Sequence, residues 1–405
     1  MDNYDIYIVG GGLVGLILLK ELKKMKKNVC LIESNLEVLN QGYVSKDSLA
    51  HSPIDEYRFR GLGGSGKAWG GGCTFFEKED FDNWEFDYDE FMSCYEKACN
   101  ILGVNFEILK TKKSGDIFTK EFISEQFKTG FNLISQLKGG NIFNKIFDTK
   151  ELKKDIFYGS LLRFEDDIMV FNNNKNDEMK LRYKKCILCC GGLETTRILL
   201  NSNLKNDNLG KYYSAHLSLI KGKIITNKDV SKKPMYIDGG SKYLIYKGKD
   251  NLSIRVIIQD NMELILQGDQ IPCYKSNLTL SDNKDKFNSK KLILNHQATK
   301  ADFERIIECY TDLDNQLKEQ NIGYLTDIPT IEDISGLTVG ASHHLGTTRF
   351  GKSSLEGVVD YNFELFDLKN VFVISSSLYP TYSHAHPSLT LIALMYKFLE
   401  IHYND

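Results

Sequence analysis

The sequence predicts an α/β fold interrupted by an inserted α+β domain built on an antiparallel sheet. Three observations predict it. The first 33 residues read as strand, glycine turn, helix and strand. Short apolar runs separated by turn residues crowd 217–297. From about residue 336 the chain returns to the glycine-rich style of its first part. The division expected is a discontinuous first domain, 1–216 and 336–405, carrying a second at 217–335. A length of 405 residues suits two cores better than one.

Taken in order, Asp5–Val9 is a short apolar strand ended by Gly10-Gly11-Gly12. Leu13–Lys27 has helical spacing, with lysines at its end where cations suit the helix dipole. Asn28–Ile32 is a second strand with Glu33 at its carboxyl end, completing a β-α-β unit. Seven glycines then fall between Gly61 and Gly72. Residues 85–181 are mixed, with a helix near Asp89–Leu102 and a polar hairpin near Asn172–Asn176. Lys185–Cys190 reads as a buried strand leading into a helix, Leu193–Asn201. The runs LIKGKII, KYLIYK, LSIRVIIQ and KLILN suggest the antiparallel sheet, and Ala301–Gln320 an amphipathic helix. Strand Asn370–Ile374 and a helix from Ser388 to about Ile401 close the chain.

Composition excludes several classes. With 42% hydrophobic and 26% charged residues the chain is not a disordered one. A net charge of -3 gives no field that favours nucleic acid or acidic lipid. Nine cysteines without regular spacing do not form a disulfide framework. The acidic start MDNYDIYIVGGG differs from a secretory signal, and no apolar run reaches the ~18–20 residues of a membrane span. A cytoplasmic location is expected.

Gly10, Gly12 and Gly15 form G-x-G-x-x-G between strand and helix. The first permits the tight turn, the second lets a pyrophosphate approach the backbone, and the third lets helix and strand pack closely. Glu33 sits where a carboxylate accepts from an adenosine ribose. This pattern does not separate FAD from NAD. Gly61, Gly63 and Gly66 repeat the text of the motif without strand or helix around them, so no second nucleotide fold is expected there. Such a loop can still lay bare backbone against a flat cofactor.

Four of the eight histidines, His343, His344, His384 and His386, fall within 44 residues on glycine- and serine-rich loops. A lone histidine is more often a satisfied structural residue than a catalyst. Two pairs together favour catalysis or a metal. Adjacent histidines on extended backbone point oppositely, so at most one of each pair serves any one site. No metal is expected.

The ordered set VGGGLVG with Glu33, GGSGKAWGGG, ILCCGGLETTRILLNS, LGKYYSAH, HHLGTTRFG, GVVD and the run NVFV…HPSLT resembles the glucose–methanol–choline (GMC) oxidoreductases. The motif style is closest to that family's gluconate-dehydrogenase-like and pyranose-oxidase-like branches. The resemblance implies a Rossmann-like FAD-binding domain and oxidation of an alcohol by hydride transfer to the flavin. It puts the base on His343, ahead of Gly346-Thr347, and its partner on His386, before Pro387. Cofactor contacts are implied for Gly10, Gly12, Leu13, Val14, Gly15, Glu33, Ser34, Arg60, Gly63, Gly64, Ser65, Trp69, Gly70, Gly71 and Gly72. Later in the chain they are implied for Cys190, Gly191, Thr195, Ser375, Ser376, His386, Pro387 and Ser388.

A neutral imidazole can take the hydroxyl proton that would otherwise leave a high-energy protonated carbonyl, and a second can share the alkoxide charge. Departures from the family pattern are Ser375 where many members carry Asp, Phe350 for a methionine, and Ala68 where covalent flavoproteins of the family carry histidine. Non-covalent FAD is therefore expected. Cys186, Cys189 and Cys190 contain C-x-x-C but lie in a buried-strand pattern. Rival readings are a flavoprotein scaffold without turnover and a flavin monooxygenase, whose nicotinamide site is not seen. Tyr236, Tyr243, Tyr246, Gln259 and Gln267 in the insertion favour a sugar-like alcohol. Nothing distinguishes oxygen from a quinone-like electron acceptor.

Overall fold

The computed structural model describes residues 4–34, 43–45, 50–51, 58–111, 127–138, 153–173, 177–226, 236–237, 240–248, 253–259, 261–285, 287–334, 338–339 and 343–403. The turn of the expected Asn172–Asn176 hairpin, the boundary at 336 and the side chain of Tyr236 lie outside the described residues.

Strands Ile6–Val9 and Val29–Glu33, joined by helix Leu13–Lys24, form the predicted parallel pair. Cys186–Leu188 adds in parallel to Ile6–Val9, and Val371–Val373 adds in parallel beyond it. Every residue of these four strands is buried, as in a parallel sheet covered on both faces. On the other edge Ile156–Glu165 runs parallel to Val29–Glu33 and then turns into an antiparallel meander through Ile168–Asn173 and Glu178–Arg182. The last two of these strands flank the polar hairpin expected near Asn172–Asn176, while Ile156–Glu165 lies in the stretch whose sequence pattern is mixed. The closing helix spans Pro387–Tyr403 and packs on helices Leu13–Lys24 and Tyr88–Leu102.

The antiparallel sheet is larger than the apolar runs of 217–297 suggested. Leu217–Thr226, Glu263–Gly268, Ser253–Ile258 and Gly240–Lys247 pair in that spatial order. Phe127–Ile134 and Gly72–Cys73 extend it from the first part of the chain, so this sheet draws strands from both sides of residue 217. Alternation separates its faces. Leu217, Leu219, Leu244, Tyr246, Ile254, Val256, Ile258, Leu264 and Leu266 pack against Ile306, Tyr310, Leu313 and Leu317 of helix Lys300–Glu319. The opposite phase carries Ser218, Tyr243, Arg255 and Gln267. A small sheet pairs Asn277–Lys284, Lys290–Asn295 and Tyr43–Ser45.

Candidate active site

A cavity of about 550 Å³ runs between the carboxyl ends of the parallel strands and the polar face of the antiparallel sheet. Its walls include Gly10, Gly12, Leu13, Val14 and Glu33 at one part and Asn132, Gln267, His343 and His386 at another. Helix Leu13–Lys24 begins at this wall. Its N-cap is Gly12, without a side-chain cap, and its first turn has no acidic residue, so the dipole's positive end is left for an anion. A Cβ on Gly12 would meet nothing within 4 Å, whereas one on Gly15 would lie 1.9 Å from the Gly10 carbonyl oxygen. The second glycine thus opens the wall and the third permits close packing.

Glu33 fastens the turn. Its Oε2 accepts from the Gly11 N–H at 2.5 Å, and its Oε1 accepts from the Ser34 N–H at 2.5 Å, the Ser34 hydroxyl at 2.8 Å and the Gly61 N–H at 3.2 Å. Arg60 lines the cavity but is tied to Glu194 at 3.1 Å and stacks over Phe287. The expected cofactor residues Ser34, Gly64, Ser65, Trp69, Gly70, Gly72, Cys190, Gly191, Ser375, Ser376, Pro387 and Ser388 also line the wall. Gly15, Gly63, Gly71 and Thr195 do not. Thr195 is wholly buried, its hydroxyl without a protein partner.

Adjacent His343 and His344 point oppositely, and a bend at His384 and Ala385 separates His384 from His386. His344 turns away to the Tyr213 hydroxyl at 2.7 Å, and His384 to the Ser253 hydroxyl at 2.9 Å. His343 and His386 face each other with ring centroids 5.5 Å apart. A third ring completes the set. His216 Nδ1 lies 2.6 Å from His343 Nδ1, and His216 Nε2 lies 2.7 Å from the Ser383 carbonyl oxygen.

A carbonyl only accepts, so His216 carries its proton on Nε2. The Nδ1 of that neutral ring is then an acceptor, and His343 must donate to it from its own Nδ1. This leaves the lone pair of His343 on Nε2.

Burial holds all three rings neutral. It pushes His216 down to about 4, the Arg255 charge adding to the effect. His343 and His386 lie well below the ordinary histidine value, through burial first and then the neighbouring imidazoles and Arg255. Arg255 Nη1 donates to His386 Nε2 at 3.1 Å, and its Nη2 donates to Gln267 Oε1 on the facing strand. Gly72 makes room for this arrangement, since a Cβ there would sit 2.5 Å from His386 Cδ2.

His216 and Arg255 escaped the sequence reading. The signal for Arg255 is a charged residue inside the apolar run LSIRVIIQ, in phase opposite to Ile254 and Val256. His216 closes the LGKYYSAH motif, which marked its position but assigned it no role. Of the described residues behind the sugar expectation, Gln267 lines the cavity. Tyr246 bonds Asp312, Tyr243 is buried against Thr74 and His384, and Gln259 is exposed. Among the described residues no group of three or more His, Cys, Asp or Glu side chains is arranged to hold a metal ion, and no helix is long and apolar enough to cross a membrane.

Residues 272–394 match the family model described as GMC oxidoreductase. A segment of 102 residues is 26% identical to a long-chain-alcohol oxidase of Arabidopsis thaliana, spanning 24% of this chain and 13% of that relative. Three solved structures share the fold nearly end to end. Pyridoxine 4-oxidase from Mesorbium loti superposes with a TM-score of 0.67 at 15% identity, covering 99% of both chains. A fungal aryl-alcohol oxidase gives 0.68 at 12% identity, again over 99% of both chains. Formate oxidase of Aspergillus oryzae gives 0.65 at 14%, over 99% of this chain and 98% of that one. The sequence match to the GMC oxidoreductase model thus covers residues 272–394, and the fold is shared with these three structures along the whole length.

Proposed function

We propose that the protein holds FAD non-covalently in this cavity and oxidises an alcohol, with His343 as the base. The observation that carries the reading is the hydrogen-bonded series from the Ser383 carbonyl through His216 to His343, which leaves His343 Nε2 as a free acceptor. The residues fit the dinucleotide. Gly10, Gly12, Leu13 and Val14 offer bare backbone and a helix N-terminus for its pyrophosphate, with Glu33 and Ser34 beside them. Gly64, Ser65, Trp69, Gly70, Gly72, Ser375, Ser376, Pro387 and Ser388 wall the remainder. Ala68 gives this wall no side chain able to form a covalent link.

Bound there, FAD supplies the hydride acceptor. The protein's part is proton handling and placement. His343 Nε2 removes the hydroxyl proton, a step open to it at neutral pH because burial keeps the ring uncharged. His386, a neutral ring held through Nε2 by Arg255, faces His343 across the reacting position, and the Arg255 charge behind it steadies a developing alkoxide.

The test is anaerobic mixing of the purified yellow protein with a panel of alcohols, without reduced nicotinamide, followed by oxygen or a quinone. Bleaching by an alcohol and recovery of colour are expected. Acid precipitation should release the flavin into the supernatant. A protein that binds no flavin, or one that no alcohol bleaches, would refute the reading.

A further inference from the structure

We propose that the alcohol accepted by this cavity bears a negative charge, a carboxylate in the first instance, and that Arg255 is the group that binds it. The inference rests on the reading of the cavity as an alcohol-oxidising flavin site and names the substrate class.

Arg255 is 4% exposed, and among the described residues no carboxylate forms an ion pair with it. That sets it apart from the other deeply placed cations. Arg305 meets Asp269 and Asp302, Arg197 meets Glu194 and Asp285, and Lys247 meets Asp80. A guanidinium does not lose its charge to escape burial, so the resting protein holds an uncompensated cation.

Its hydrogen bonding is incomplete as well. The bonds to His386 and Gln267 use two of five N–H donors, and the Nε–H is buried without a partner. Both acceptors line the cavity. Arg58 lines it too, and the charges of Arg255 and Arg58 both bear on His343.

The two carboxylates in the cavity wall are engaged elsewhere. Glu33 serves Gly11, Ser34 and Gly61, and Glu194 serves Arg60 and Arg197. An alkoxide forms only in passage and cannot balance a charge that stands in the resting enzyme. A substrate carboxylate can, accepting from the Gln267 amide in the wall and pairing with the charge of Arg255, which stands directly behind His386 and Gln267.

The test uses the flavin-loaded protein and non-reacting probes, so that it does not depend on turnover. Dissociation constants for acetate and benzoate are measured against acetamide and benzamide by flavin difference spectra and calorimetry. The carboxylates should bind about tenfold tighter or better. That preference should vanish in Arg255→Gln and return in part in Arg255→Lys. Equal or tighter binding of the amides to the wild type overturns the proposal, even if neither variant folds. So does a carboxylate preference that survives in Arg255→Gln. In parallel, para-(hydroxymethyl)benzoate should bleach the flavin faster than its amide. Bleaching by neither, with the anion preference intact, refutes the alcohol-oxidising reading and leaves the anion site standing.

Discussion

Replacing His216 by Phe tests the catalytic geometry without touching the proposed base. The ring volume is kept and both nitrogens are lost. His343 then has no acceptor for its Nδ1–H, now met at 2.6 Å by His216, a residue 2% exposed. Orphaning such a donor costs about 1–3 kcal/mol. The ring escapes that cost by moving its proton to Nε2 or by turning over, and either change removes the lone pair aimed at the substrate. Since 1.4 kcal/mol is about tenfold, the competent fraction falls by about 5- to 150-fold.

The assay is stopped-flow flavin reduction at saturating alcohol under anaerobic conditions. The limiting rate should fall by that factor while flavin content and the substrate dissociation constant hold. His216→Gln, which restores an acceptor, should recover part of the loss. A Phe variant with full flavin content and a limiting rate within about twofold of wild type would refute the tautomer argument.

His343→Ala should keep its yellow colour while flavin reduction slows by about 100- to 10,000-fold, read in the same instrument. The limiting rate in the wild type should stay level as pH falls through the ordinary histidine value of about 6.5, since His343 is held well below it. A decline centred there would contradict the neutral-ring assignment. Stability should follow the same groups: His216 titrates near 4 when folded and near 6.5 when unfolded, so the unfolded chain takes its proton first. Its contribution is complete above about pH 6.5, shrinks by about 2 kcal/mol on going from pH 7 to 5, and levels off below 4, as denaturant midpoints would report. Gly15→Ala forces a Cβ to within 1.9 Å of the Gly10 carbonyl oxygen; it should cost at least about 1–3 kcal/mol by thermal melting and lower flavin content.

What could be read from the sequence was what short stretches of chain settle alone. The turn at Gly10–Gly15 is dictated by strand, helix and glycines that are neighbours in sequence, and the fold keeps it. His343 and His386 were legible because residue motifs mark them. Phe127–Ile134 was not, because Gly130 interrupts its pattern. That glycine is there for packing: a Cβ would lie 2.4 Å from the Tyr243 ring, a contact made only once the strand pairs with Gly240–Lys247. Tyr243 and Tyr246 looked like a polar lining, yet their partners His384 and Asp312 come from elsewhere in the chain and draw them out of the cavity. Arg255 became legible only when the alternation of Ser253–Ile258 was anchored by Ile254 and Val256 in the core.

The proposed catalytic pair therefore depends on the antiparallel sheet as much as on the segment that carries it. His343 and His386 both belong to the last seventy residues, but each ring is held from across the cavity. His216, immediately before strand Leu217–Thr226, fixes the proton of His343 and is itself fixed by Ser383. Arg255 and its cross-strand partner Gln267 hold His386. The C-terminal segment supplies the imidazoles, and the sheet determines which nitrogen of His343 is basic and what charge stands beside His386. A change in the register of Ser253–Ile258 by one residue would turn Arg255 into the apolar core and Ile254 or Val256 toward His386, because side chains alternate along a strand. The site would then keep its base and lose its cation, and the anion preference would be lost before the capacity to take a proton.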